Sequence, residues 1–524
     1  MPLHPSVLMR CRDLSAHQFV ILRAPAYPAC LPLPPTSVVD SSSRSVVDSQ
    51  PDDLNHLRHS LSRPAGSSSP AELGAVASRR RYAVAMRAFT RLRPHRQWRR
   101  FFSTSHQVSD AEIAALAGQK QHSLSLTDLV RHGRPPLSEK ALLSSANFTL
   151  SLLPIRLAHR IRALRNLPYI VVSNPNISRI YNNYLHSLSI LLPYWHAAAQ
   201  GRAISQLQDE IRFTNALAEL VATHTDTIPI LAKGFLECRR YISPLEVTRF
   251  LDEHLRARIG TRLVAEQHIA LHFSSQPHFA PEASPTPCPD DPSYIGVIDT
   301  ALRPAQTIQS CAGFVADICE LRYGSRPQLH LDGEPDAILA FVPTHLEYMV
   351  TELLKNAFRA TVETRSTEPV VVTVAPEPPL QQQLDGAPAM ESPAESAVKD
   401  GGFLRSDVMR PLEDDAPGVT IRIRDRGGGI PPDVLPNIWS YSFTTFSEDD
   451  DFPGSRSASA DGLGAISSAG VGGSSIAGLG YGLPLSRAYA EYFGGGITVQ
   501  SFAEVRRPRS SYGHRLPSVA YLPR

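Results

Sequence analysis

Apolar residues recur at every third or fourth position from about Leu143 to His272, which is the period of an amphipathic helix. The spacing predicts long helices over residues 153–164, 177–192, 203–231 with an internal break, and 244–272. Pro154 falls in the first turn of the first predicted helix, where proline is tolerated. Four long helices with short connectors predict an antiparallel four-helix bundle, which could serve as a scaffold without being catalytic.

After Ser293 the pattern changes to alternating strands and helices. Short apolar runs predict strands over residues 294–298, 328–331, 369–374, 418–425 and 496–501. Helical spacing predicts helices over residues 304–322, 343–363 and 483–493. The fold class predicted for the whole chain is therefore α+β in two domains, a helical bundle followed by an α/β sandwich with a mixed sheet.

Composition distinguishes these regions from segments that cannot form a core. The chain has 524 residues and 45 prolines, and residues 377–417 and 447–477 contain few large apolar residues. We predict that both are disordered inserts. The predicted domains are residues 1–106, a disordered extension with a targeting signal; residues 107–285, the bundle; and residues 286–524, the α/β domain with its inserts.

The segment between Leu73 and Ser109 has no acidic residue and nine arginines. Such a basic, hydroxyl-rich composition predicts a mitochondrial transit peptide, with cleavage near residues 101–105 and a location in the matrix. A basic arm that binds an anionic partner is the alternative. Because a presequence should stand at the N-terminus, either a long extension precedes it or Met86 is the true start.

Charge and cysteine content exclude several other classes. Lys and Arg number 52 and Asp and Glu 50, and a net charge of +2 argues against a nucleic-acid-binding surface. No run of eighteen apolar residues occurs, so no membrane span is predicted. The six cysteines include no C-x-x-C pair and no zinc-like spacing, as expected for thiols in a reducing compartment.

Candidate chemistry begins with the segment ELLKNAFRA, residues 352–360. Glu352 and Asn356 are four residues apart, and this spacing puts a carboxylate and a carboxamide on one face of a helix. Taken alone, the pair is as well explained by the polar stripe of an exposed helix.

Two glycine-rich turns follow predicted strands or precede a predicted helix. Asp425 ends a strand and leads into Arg426-Gly-Gly-Gly, where a carboxylate could accept a hydrogen bond from the amine of adenine. Gly478-Leu-Gly-Tyr-Gly482 precedes a helix, and small residues there expose backbone N–H groups to a phosphate. Each feature alone is also ordinary turn chemistry.

The order of the segments is more specific. An acid and amide helix, the turn Asp425-x-Gly-x-Gly, the run Phe443-Thr-Thr-Phe446 and a Gly-x-Gly-x-Gly helix start resemble the boxes of Bergerat-type ATPases. Within that superfamily, the segments 352–363, 425–430 and 480–495 are similar to those of the mitochondrial α-ketoacid dehydrogenase kinases. The segments 153–161, 174–175 and 257–263 resemble the N-terminal regulatory domain of the same family.

The resemblance implies an ATP- and Mg²⁺-dependent serine kinase that inactivates the decarboxylase component of a dehydrogenase complex. Glu352 would be the general base and contact the nucleotide, Asn356 would bind Mg²⁺, and Asp425 would bind adenine. Lys355 and Arg359 would offset phosphate charge, or else be solvated surface cations. The other nucleotide-binding residues implied are Gly427, Gly429, Thr444, Thr445, Gly478, Leu479, Gly480, Tyr481, Gly482 and Leu483.

Substrate and regulation are also implied by the resemblance. Tyr348 and the segment 256–262 look closer to the branched-chain kinase, so the branched-chain complex is the expected substrate and the pyruvate complex the alternative. Arg258 and Arg262 match an allosteric pocket for an α-keto acid, although two such arginines could also salt-bridge neighbouring helices. Docking on the lipoyl domain of the acyltransferase component and a homodimer are expected as well.

Two functions of other classes remain compatible with the sequence. A histidine kinase would need an accessible phosphoacceptor, for which His345 and His159 are available. A nucleotide-switched scaffold would bind the dehydrogenase core without transferring phosphate.

Overall fold

The computed structural model describes the backbone of residues 18–24 and residues 107–275, 293–376, 409, 418–441 and 480–501. Residues 107–275 form helices. They are α1 (Asp110–Ala117), α2 (Leu126–Val130), α3 (Glu139–Arg165), α4 (Tyr169–Val172), α5 (Pro175–Ala199), α6 (Leu207–Thr223), α7 (Thr227–Glu237) and α8 (Pro244–Ser274).

Local sequence sets where these helices begin. Ser243 is the N-cap of α8: its hydroxyl accepts from the Glu246 amide, and the Glu246 carboxylate accepts from the Ser243 amide. Pro244 occupies the first turn. Asn174 caps α5 without such a return bond: its side-chain oxygen accepts from the amides of Asn176 and Ile177. The longer helices pack in pairs, α3 against both α5 and α8, α5 against α7, and α6 against α8.

Helix α3 corrects one sequence prediction. The first long helix was predicted to start near Leu153, with Pro154 in its first turn, but α3 starts at Glu139 and continues through Pro154. The residues around the proline, including Leu150, Leu153 and Leu157, are buried. Burial of this face outweighs the hydrogen bond that proline cannot donate.

The second part of the chain contains two sheets. Strands β2 (Tyr294–Ile295), β3 (Ile298–Leu302) and β5 (Leu339–Phe341) form the smaller one, antiparallel in the order β2-β3-β5. The predicted single strand 294–298 is thus a hairpin, because Gly296 turns the chain at a φ of 63°. The helices here are α9 (Pro304–Tyr323), α10 (Pro343–Glu363) and α11 (Gly482–Tyr492).

The larger sheet has five strands and is mixed, as predicted. Its strands are β1 (Gln18–Ala24), β4 (Leu329–Gly333), β6 (Val370–Pro376), β7 (Val419–Asp425) and β8 (Gly496–Ser501), in the order β4-β6-β7-β1-β8. Only the pair β4 and β6 is parallel. Helix α10 packs on β7 and α11 on β8, so both helices lie against this sheet.

Strand β1 was missed by the sequence analysis, which assigned residues 18–24 to a disordered extension. Gln18 pairs with Asp425 and with Ser501, so the strand lies between β7 and β8. The run Phe19-Val-Ile-Leu22 has high β propensity, and Pro25 follows soon after its end. That strand signal was present but carried no pattern that pointed to a partner 400 residues away.

The helical part and the α/β part share a continuous apolar core. Helix α11 joins them, because it contacts α10 and β8 on one side and α8 on the other. At this joint Gly260 of α8 has no room for a side chain, since an added Cβ would lie 2.3 Å from the Tyr492 hydroxyl. In the described part of the chain one helix, α3, is long and apolar enough to cross a membrane, and 61% of its most apolar window is buried.

Candidate active site

Helix α10 holds the acid and the amide that the sequence singled out. Its predicted bounds, residues 343–363, are confirmed, and its buried face includes Met349, Leu353 and Phe358. Glu352 lies on the opposite side with its side chain 19% exposed, and Asn356, one turn later, is exposed. The Lys355 ammonium donates to Glu352 Oε1 at 2.6 Å, which holds the carboxylate at the helix surface.

The N-terminus of α11 lies directly against Glu352. A Cβ added to Gly482, the first residue of α11, would stand 2.4 Å from Glu352 Oε2, so the Glu352 carboxylate would have to move to accommodate a side chain there. Gly480 has a φ of 73°, Tyr481 is buried and Leu483 is half-buried. The carboxylate therefore lies beside the positive end of a helix dipole, where exposed N–H groups favour an anion.

Asp425 ends β7 and is buried, with 2% of its surface exposed. Its side chain accepts a hydrogen bond from the Gly427 amide at 2.8 Å, the one donor from another residue in the described part of the chain. Burial raises the pKa of Asp425 from 3.8 to about 6, and this single amide offsets the effect only in part. The carboxylate thus retains acceptor capacity for a further donor.

The glycines after Asp425 have different structural roles. Gly428 and Gly429 have φ values of 85° and 76°, which favour glycine. Gly427 instead lacks space, since an added Cβ would lie 2.3 Å from Ala360 Cβ on α10. Close packing on α10 therefore explains Gly427 without a ligand, whereas the sequence analysis gave nucleotide approach as the reason.

The two cations of α10 are engaged in ion pairs along their own helix. Lys355 pairs with Glu352, and Arg359 Nε lies 2.5 Å from Glu363 Oε1. For Mg²⁺, no group of three His, Cys, Asp or Glu residues within the described ranges could hold a metal ion. A single amide oxygen from Asn356 fits Mg²⁺ only if phosphates and waters supply the other ligands, which is common for this ion.

The predicted effector residues, Arg258 and Arg262, lie on α8. Arg258 is 9% exposed, donates to the carbonyl oxygen of His224 at 3.0 Å and has no partner for its Nε. Burial and the neighbouring Arg262 lower the pKa of Arg258. Arg262 pairs with Glu266 on its own helix at 2.7 Å.

Further buried polar atoms without a hydrogen-bond partner are His254 Nδ1 on α8 and His345 Nδ1 and Tyr348 Oη on α10. His345 and Tyr348 both pack on Tyr489 of α11, at ring distances of 4.6 and 5.3 Å. The Arg258 guanidinium donates to a carbonyl oxygen, and the carboxylate contact given for Arg262 is with Glu266 on its own helix.

Four predicted residues, Thr444, Thr445, Gly478 and Leu479, lie outside the described residues. The remaining ones fall into two groups in the structure. Glu352, Lys355, Asn356 and Arg359 share α10, with the α11 start and the turn of Asp425, Gly427 and Gly429 beside this helix. Arg258 and Arg262 belong to α8.

The sequence analysis missed contacts that connect these groups. The Tyr441 hydroxyl donates to Asp252 of α8 at 2.7 Å, and the Tyr441 ring packs on Tyr481 at 5.2 Å. Arg256 of α8 pairs with Glu491 of α11. No sequence signal links residues so far apart, because each pair is created by the packing of α8 on the α/β part.

Comparisons with known proteins found one family model and several relatives. A family model described as mitochondrial branched-chain alpha-ketoacid dehydrogenase kinase matches residues 123–299. A mitochondrial pyruvate dehydrogenase (acetyl-transferring) kinase of Arabidopsis thaliana is 29% identical over 73% of this chain and 87% of its own length. The family model and this relative both indicate similarity to the mitochondrial α-ketoacid dehydrogenase kinase family.

Other members of this family match over a similar extent. Pyruvate dehydrogenase kinase 1 of Saccharomyces cerevisiae is 28% identical over 70% of this chain and 78% of its own length. Pyruvate dehydrogenase kinase isozyme 4 of Rattus norvegicus is 28% identical over 71% of this chain and 79% of its own length. The predictions of a protein kinase and of a mitochondrial location are confirmed, whereas closeness to the branched-chain kinase is not.

Proposed function

We propose that this kinase transfers the γ-phosphate of ATP to a serine of the decarboxylase component of the pyruvate dehydrogenase complex and so inactivates it. The observation that supports this most is the position of Gly482, whose missing side chain leaves the start of α11 against the Glu352 carboxylate. A base and an anion-binding helix end are thereby adjacent, as phosphoryl transfer requires.

The residues then have separate tasks. Asp425 accepts a hydrogen bond from the exocyclic amine of adenine, and the N–H groups at the start of α11 bind phosphate oxygens. Asn356 would hold Mg²⁺ together with the phosphates, and the ion would supply positive charge to the transferred group. Glu352 accepts the proton of the serine hydroxyl and orients its oxygen for in-line attack.

We assign a Bergerat-type fold to the α/β part and a four-helix bundle to the helical part. A mixed sheet with α10 and α11 packed against it and the pairing of α3, α5, α6 and α8 support both assignments.

The pyruvate complex is favoured as substrate because the named relatives are pyruvate dehydrogenase kinases. The branched-chain complex is the second candidate, since the matching family model carries the branched-chain name and Tyr348 precedes Glu352 by one turn. Incubation of the kinase with ATP and each purified complex separates the two. A faster loss of branched-chain activity would reverse our assignment.

A phosphohistidine mechanism is disfavoured by the surroundings of His345. This residue is 7% exposed, and burial, together with the charge of Arg262, lowers its pKa to about 3. His159 lies on α3, where its Nε2 contacts the Gln119 carbonyl oxygen at 2.9 Å. Acid-labile phosphate on the kinase itself would contradict this view.

We also propose that Arg258 and Arg262 bind the carboxylate of an α-keto acid effector. The Nε of the buried Arg258 guanidinium has no hydrogen-bond partner, which is costly, and an effector carboxylate would supply one. An Arg258→Gln variant should keep basal kinase activity and lose its response to α-keto acids. A response equal to that of the wild type would exclude this site.

The test of the catalytic proposal is Glu352→Gln, which keeps the side-chain shape but removes the base. ATP binding should be retained, while phosphate incorporation into the decarboxylase falls by about 100-fold or more. Glu363→Gln, on the same helix but paired with Arg359, is the matched control and should keep its activity. Undiminished transfer by Glu352→Gln would remove this residue from the base role.

A further inference from the structure

A basic cavity lies in the helical part, between α2, α3 and the residues that precede α2. Its volume is about 310 Å³, which is large enough for a small organic ligand. The residues that matter for its chemistry are Lys120, His122, Asp128, Arg131, Phe148 and Arg156. None of them belongs to the proposed nucleotide or effector sites.

Arg156 provides a buried cation with an open donor. It is 7% exposed, and its Nη2 donates to the carbonyl oxygen of His122 at 2.8 Å. Its Nε is buried and has no partner in the structure. An unpaired donor on a buried charge is unfavourable, so an oxyanion that reached this guanidinium would be stabilised.

Arg131 provides a second guanidinium that is already oriented. The group lies over the Phe148 ring at 3.9 Å from the ring centre, and its Nε donates to His132 Nε2 at 3.3 Å. Burial lowers the pKa of His132 to about 4, so its ring is neutral at pH 7 and can accept this bond. Stacking on one side fixes the plane of the guanidinium and leaves its terminal nitrogens for a ligand.

The charges around the cavity are not balanced. Among the described residues that line it, Asp128 is the one carboxylate. Its Oδ2 already accepts from the Ser125 amide at 2.9 Å and contacts His122 Nε2 at 3.3 Å. Lys120, Arg131 and Arg156 therefore face the cavity with a net positive charge. A neutral or cationic ligand would leave this charge uncompensated.

The remaining wall is apolar, formed by Phe148, Leu152 and Ile155. A multiply charged phosphate compound would leave this wall without a partner, whereas a short aliphatic chain would bury it. We propose that this cavity binds a small carboxylate with a short apolar chain, its carboxylate between Arg131 and Arg156. The site is separate from Arg258 and Arg262 and does not depend on the proposed function.

The probe is 4-bromopent-4-enoate, whose vinyl bromide is not displaced by its own carboxylate. It is added to the full-length protein in calorimetry and in crystals in which the bromine is located by anomalous scattering. We expect bromine beside Phe148 and Leu152. Replacing the carboxylate by the neutral 4-bromopent-4-enamide should weaken binding by about tenfold or more, because a charge-assisted pair is lost.

Arg131→Gln tests the site without disturbing the core, since Arg131 is exposed. It should weaken binding of the carboxylate by about tenfold. Arg134→Gln, an exposed arginine nearby that does not line the cavity, is the matched control and should bind as the wild type does. Bromine found only near Arg258, equal binding of the amide, or equal binding by Arg131→Gln would overturn the proposal.

Discussion

Two buried carboxylates, one in each part of the molecule, have opposite properties. Glu210 in the helical core is fully buried, yet its pKa is lowered to about 2. Burial alone would raise it, but hydrogen bonds from His268 and His272 outweigh that effect. Asp425 at the end of β7 is buried to a similar extent, and its pKa is raised to about 6.

The neighbours explain the difference. The Glu210 carboxylate accepts a hydrogen bond from the Thr214 hydroxyl at 3.0 Å and contacts His272 Nδ1 at 2.9 Å. The His268 ring contacts the hydroxyls of Ser145 and Thr214, each at 2.9 Å. A neutral His268 with its proton on Nε2 satisfies this network, in keeping with burial lowering the pKa of His268. Asp425 has one amide donor from another residue.

A carboxylate whose acceptors are all used stabilises the fold, whereas one with spare acceptors is available to a ligand. Glu210 contributes stability above pH 4.5, and this contribution is lost as the pH falls through about 2. Asp425 has the opposite effect on stability. Its buried carboxyl group becomes charged as the pH rises from about 4 to 6, and the free energy of unfolding falls over this range. In the function proposed above, a hydrogen bond from adenine offsets the cost of ionising Asp425.

The largest expected effect is that of Glu210→Gln. The substitution replaces a carboxylate that accepts from Thr214, His268 and His272 by an amide whose nitrogen cannot accept, so a buried donor loses its partner, and we expect a loss of about 3 kcal/mol in the free energy of unfolding. Thermal or denaturant unfolding measures it. Glu219→Gln, on the exposed face of the same helix, is the control and should change stability by less than about 0.5 kcal/mol. Equal effects of the two variants would show that the network is not stabilising.

Asp425→Asn should act on ligand binding instead. We expect ATP affinity to fall by about 10- to 100-fold, because a charged acceptor for the adenine amine is lost. The unliganded variant should be more stable than the wild type above pH 6 and equal to it below pH 4, since the cost of a buried charge is removed. Nucleotide titration and unfolding over this pH range measure both effects.

The wild type should also bind ATP more weakly as the pH is lowered through about 6, where Asp425 gains a proton. This dependence should be absent in Asp425→Asn, and Asp433→Asn should retain it. Unchanged affinity in Asp425→Asn would mean that adenine is bound elsewhere.

A smaller effect is expected for Gly427→Ala, which tests whether this glycine serves packing. The new methyl group would clash with Ala360, so α10 must shift, at a cost of about 1–3 kcal/mol. Gly313→Ala on α9 has open space around the added atom and should be neutral or stabilising by up to about 1 kcal/mol. The free energies of unfolding of both variants measure these effects. A Gly427→Ala variant as stable as the wild type would contradict the packing role.

The elements with strong local signals were predicted correctly. Helices α8, α9 and α10 and strands β7 and β8 lie within two residues of their predicted bounds, because Ser and Pro mark helix starts and apolar periodicity marks the buried faces. The start of α3 was wrong because tertiary burial outweighed the helix-breaking tendency of Pro154. Strand β1 was missed because its partners lie at the other end of the chain.

For the site, the sequence by itself determined the chemistry: an acid and an amide on one helical face, an aspartate at a strand end and glycines before a helix. These features depend on spacing along the chain, which helix and strand periods convert into geometry. Only the tertiary structure decided which groups meet, namely Gly482 with Glu352, Gly427 with Ala360, and Tyr441 with Asp252. It also decided the electrostatics, because the pKa of a carboxylate depends on burial and donors that packing alone supplies.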